Sequence, residues 1–76
     1  MNLFAEANQY HKQVAALGAK MYFLARNITK ARYNGDLALA ERLHYQWEMA
    51  AERKTIALDN EIACRHLFFV SALLMT

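Results

Sequence analysis

The sequence predicts an all-α fold: an antiparallel helical hairpin of two long helices that dimerises into a four-helix bundle. Three observations carry this expectation. The 76 residues contain no proline and only two glycines, too little turn chemistry for a β-barrel or sandwich. A single cysteine excludes an intrachain disulfide framework and a conventional zinc finger. Apolar residues recur at alternating steps of four and three along most of the chain, which is the pattern of a helical seam.

The first helix is expected over about 2–33. Its seam runs Leu3, Ala7, Tyr10, Val14, Leu17, Met21, Leu24, Ile28 and Ala31 without a charged residue. A second line at the same spacing, Phe4, Asn8, His11, Ala15, Gly18, Tyr22, Ala25 and Thr29, lies beside it. The middle of that line is small. Gly18 costs a helix about 0.5–1 kcal/mol relative to alanine, so Ala15 and Gly18 are read as self-association residues where another helix approaches closely.

The helical pattern stops at Tyr33-Asn34-Gly35-Asp36. Asn34 and Gly35 are expected to terminate the first helix with positive φ, and Asp36 to cap the second. Asn-Gly also suits a β-hairpin, but neither flank alternates with period two. The turn is therefore placed at 34–36, in a single helical domain over 1–76.

The second helix is expected over about 37–74, with an apolar line through Ala40, Leu43, Trp47, Ala51, Thr55, Leu58, Ile62, His66, Phe69 and Leu73. After Trp47 the steps average about 3.7, looser than a left-handed heptad. An alternative divides the segment near Asp59-Asn60 and gives a three-helix monomer. For the continuous helix, antiparallel pairing sets Val14 near Thr55 and Ala7 near Ile62. At 1.5 Å per residue the helices are about 48 and 57 Å long, so the end of the second overhangs the start of the first. That overhang holds Phe69, Val70, Leu73, Leu74 and Met75, with Phe68 at its base. Phe69 and Leu73 continue the apolar line and are assigned to self-association. Phe68 and Tyr22 lie off the main lines and are assigned to an unidentified protein partner, as aromatic anchors often dominate interfaces.

Charge narrows the function. Up to Tyr33 five basic residues stand against Glu6 alone, a charge of +4; from Asp36 onward four stand against six, a charge of −2, and the sum is +2. This is small for a dedicated nucleic-acid binder. Lys20, Arg26, Lys30 and Arg32, with Tyr22 and Tyr33, could form a basic-aromatic surface, but the hairpin should set them opposite Glu41, Glu48 and Glu52. The opening residues lack the basic and apolar regions of a secretory signal, and the apolar tract from Leu67 to Met75 is shorter than the roughly 20 residues of a membrane span. A cytoplasmic location is expected.

The candidate chemical motifs are sparse. Glu41 and His44 have the E-x-x-H spacing of carboxylate-bridged metals, yet the first helix supplies only Glu6, far from the turn. Cys64, Arg65 and His66 are sequence neighbours that point different ways on a helix, so they do not pair as nucleophile and base. Catalytic, metal and cofactor residues are therefore not assigned. The sequence supports a non-enzymatic protein-binding module, a small regulator, inhibitor, adaptor or chaperone of the kind encoded by phages and mobile elements. The alternatives are a self-assembling structural subunit and a nucleic-acid-binding helical dimer.

Overall fold

The structure, a computed structural model, describes residues 2–75. It contains two helices, α1 (Leu3–Tyr33) and α2 (Leu37–Leu74), packed along each other as an antiparallel hairpin. The molecule measures 61 × 15 × 14 Å. Helix α2 runs unbroken through Asp59 and Asn60, so the three-helix alternative is overturned. With no proline or glycine at that point, the backbone hydrogen bonds simply continue.

Local chemistry sets the helix ends. The Asn2 side chain accepts a hydrogen bond from the Ala5 N–H at 3.1 Å, a cap the sequence reading passed over. At the turn the Gly35 N–H donates to the Arg32 carbonyl at 3.0 Å and the Asp36 N–H to the Ala31 carbonyl at 2.9 Å. These two bonds form a Schellman motif. Among the described residues only Gly35 has positive φ, at 76°; Asn34 stays in the right-handed region with φ −82°, contrary to the expectation for it. Asp36 caps α2 by accepting from the Leu39 N–H at 3.1 Å.

The α1 seam lies where its spacing predicts: Ala7, Leu24, Ile28 and Ala31 are buried and the rest of the line is half-buried. Helix α2 differs after Trp47. Its inward line is Ala40, Leu43, Trp47, Ala50, Lys54, Ala57, Glu61 and Cys64, a strict alternation of three and four. Thr55, Leu58 and Ile62 are exposed, so the line expected through them, and its pairing with Val14 and Ala7, are corrected. Sustained contact between two helices demands a 3.5-residue repeat from both. Lys54 and Glu61 keep α2 in step with α1 although both are charged.

The resulting core is thin. Five of its seven buried hydrophobic residues are alanine, and no large side chain among the described residues is fully enclosed. Alanine lets helix axes approach closely but removes little apolar area from water. The accessible surface is 5970 Å², whereas a compact monomer of 8.8 kDa should expose about 4,800 Å². No helix of the described residues is long and apolar enough to cross a membrane.

Candidate interaction surface

Three contacts fix which flanks of the helices share a face. Phe4 packs on Phe68 with ring centroids 6.0 Å apart. The His11 Nδ1 lies 3.2 Å from a Glu61 carboxylate oxygen. A Cβ on Gly18 would sit 3.7 Å from the Lys54 ammonium. Each advance of seven residues along α1 is thus matched by seven back along α2, and all three pairs lie on one flank. By heptad position, that flank places the second α1 line beside Ala51, Thr55, Leu58, Ile62 and Phe69. The two lines that the sequence suggests separately form one broad face.

That face carries no charged α1 residue from Phe4 to Thr29. Ala15, Gly18 and Ala25 make its α1 side shallow, while Leu58 and Ile62 stand exposed on its α2 side. Gly18 is half-buried and Lys54 lies across it. A methyl group would meet Lys54 at ordinary van der Waals distance, so packing within the hairpin does not require glycine there. Tyr22 is exposed, its ring edge-on to Phe23 at 5.7 Å, and the Arg26 guanidinium lies 6.0 Å above it.

The opposite flank gathers Gln13, Ala16, Arg53, Ile56 and Asn60 around a shallow hollow. Lys20 and Lys30 lie on this side by heptad position. The ion pairs among the described residues are His11–Glu61, His44–Glu48 and Arg65–Glu61. Lys20, Arg26, Lys30 and Arg32 have no ion pair among the described residues; of the acids expected opposite them, Glu41 shares a hollow with Arg32 on the Gly18 flank without pairing to it. Glu48 instead holds His44 at 3.6 Å, and the His44 ring stacks on Trp47 at 6.2 Å.

At the open end the two phenylalanines exchange faces relative to the sequence reading. Phe68 continues the strict seam and rests on Phe4, whereas Phe69 projects outward and is the more exposed. Leu73 is also exposed, beyond the start of α1. Phe4, Arg65, Phe68 and Phe69 line a small apolar hollow there. Below it, Glu61 is buried in the seam and satisfied by His11 and by the Arg65 Nε at 3.1 Å. The half-buried Cys64 thiol donates weakly to a Glu6 oxygen at 3.9 Å. These groups serve the hairpin's own packing: an i, i+4 bridge and an interhelical hydrogen bond that let polar residues occupy seam positions.

Sequence reasoning missed Leu58 and Ile62 as surface residues. The available signal was the unbroken three-four continuation from Trp47 through Ala50, Lys54, Ala57, Glu61, Cys64 and Phe68. No protein-family model, curated protein or solved structure matches the chain.

Proposed function

We propose that this chain is a non-enzymatic protein-binding module, a cytoplasmic hairpin that associates through the Ala15, Gly18, Leu58 and Ile62 face and modulates a larger protein as an inhibitor, adaptor or chaperone. One observation carries the reading: the hairpin exposes about 1,200 Å² more surface than a compact chain of its mass, and on one face the α1 line from Phe4 to Thr29 carries no Asp, Glu, Lys or Arg beside the exposed Leu58 and Ile62. A surface of that kind marks protein association. The test is sedimentation velocity of the wild type and of Leu58→Glu. The wild type should associate, and the variant should remain helical while its association weakens at least 30-fold, because a carboxylate would be stranded in an apolar contact. A wild type that stays monomeric at every concentration would remove the basis for this function.

Nucleic-acid binding is a second reading, favoured by Arg26 and Lys30, which have no ion pair and line a hollow with the exposed Phe23 and Tyr33. Retention on RNA or DNA that collapses between low and moderate salt would support it. Retention that is absent even at low salt would dismiss it.

A further inference from the structure

We infer that the flank opposite Gly18 binds a single-stranded nucleic acid, with facing pairs of cations on its phosphates and Phe23 and Met49 against its bases. This rests on the nucleic-acid reading and adds to it the surface and the state of the strand.

The register of the hairpin assembles the site. With Gly18 against Lys54 and His11 against Glu61, Lys30 falls level with Arg42, and Lys20 falls within one residue of Arg53. By heptad position all four stand on the flank away from Gly18, so each pair faces across the groove between the helices. The two pairs are about 15 Å apart along the axis. None of the four has an ion pair among the described residues. The acids are placed elsewhere. Glu41 and Glu48 belong to the Gly18 flank, and Glu52 and Asp59 to the outermost row of α2. Asp36 is engaged in its cap and Glu61 in the seam. Glu6 is on this flank but about 21 Å along the axis from Lys20. A total charge of only +2 therefore conceals a groove of one sign over its middle and turn-end parts. Like charges facing each other repel in the free hairpin, and a bound polyanion would relieve that repulsion.

The groups between the cation pairs select the strand. Phe23 and Met49 are level with each other and exposed, and Asn27 and Gln46 follow one helical turn nearer Gly35. A hollow on α1 runs from Phe23 and Asn27 to Lys30, and another on the same flank is lined by Gln13, Arg53 and Asn60. An aromatic ring and a thioether pack on base faces. Only an unpaired strand offers those faces, because in a duplex neighbouring bases cover them. Amide side chains carry both donors and acceptors, as base edges do. An acidic protein segment would match the cations, but its carboxylates only accept and would leave the amide carbonyls unmatched.

The experiment follows the fluorescence anisotropy of a labelled oligothymidylate of about 16 nucleotides bound by the full chain, with a duplex of the same length and polyglutamate as competitors. The single strand should bind at least tenfold more tightly than the duplex. Its log affinity should fall against log salt with a slope of about −3, the value for four neutralised phosphates on a single strand. Lys30→Gln with Arg42→Gln should halve that slope, and Phe23→Ala should weaken binding about tenfold at an unchanged slope. All three positions are exposed, so circular dichroism should show helicity unchanged. Equal or tighter binding of the duplex would overturn the strand state. Single-strand binding left intact by these variants would overturn the surface. In both cases nucleic-acid binding itself would stand. Displacement of the strand by polyglutamate at equal charge would point to an acidic protein and overturn the inference. No binding at low salt would overturn it together with the nucleic-acid reading.

Discussion

The two ends of the hairpin are built differently. At the turn end Leu24, Ile28, Ala31 and Ala40 are buried, and a Schellman motif and an aspartate cap close the backbone. At the open end the seam holds Ala7, Ala57, a buried Glu61 and a half-buried Cys64, while Phe4, Phe68 and Phe69 stay largely in water. The turn end buries its aliphatic seam and caps its backbone within one chain, with Tyr33 and Leu37 exposed beside it. The open end satisfies its polar groups but leaves its largest apolar ones uncovered, and that difference locates the surplus stability on the side where a second molecule would add it.

The turn end depends most on Ile28. Ile28→Ala should cost about 2–5 kcal/mol, a large fraction of a small domain's stability, and thermal unfolding followed by circular dichroism should show it. Phe68→Ala at the open end should cost the isolated hairpin less, about 1 kcal/mol, since it loses one aromatic contact and only partial burial. Equal losses at the two sites would remove the distinction between the ends.

Substitution at Glu61 sharpens the same contrast. Glu61→Leu should be neutral or stabilise the hairpin by about 1 kcal/mol, the low end for replacing a buried ion pair because His11 and Arg65 remain half in water. Denaturant unfolding measures it. Marked destabilisation would mean that the polar cluster, and not apolar packing, holds the open end. At the turn, Gly35→Ala should cost about 1 kcal/mol through its positive φ, and Asp36→Ala about as much through the lost cap.

Gly18→Leu is the smallest expected change in the hairpin and a large one in the assembly. Helix propensity favours leucine, and only the mobile end of Lys54 lies nearby, so helicity should hold or rise while association falls by at least tenfold. A variant that still associates with wild-type affinity would show that the small-residue face is not a contact.

Much of this was legible in the residues. The charge-free α1 line carries its own periodicity, Asn34-Gly35-Asp36 carries its own turn chemistry, and the absence of proline lets both helices run long. These are local properties, decided within a few residues of chain. Ala15, Gly18 and Tyr22 were visible as a second line for the same reason.

The inward face of α2 was decided only by pairing. Read alone, Leu58 and Ile62 are better core residues than Ala57 and Glu61, and a one-residue shift after Trp47 favours them. A helix packed along a partner cannot make that shift without breaking the 3.5-residue repeat, and α1 offers no matching shift. Tertiary structure therefore kept Lys54 and Glu61 in the seam, where Lys54 lies across Gly18 and Glu61 reaches His11 and Arg65, and turned Leu58 and Ile62 outward. Sequence periodicity determined that two long helices form and where they reverse. Register between them determined which apolar residues each spends on the other and which remain for a partner.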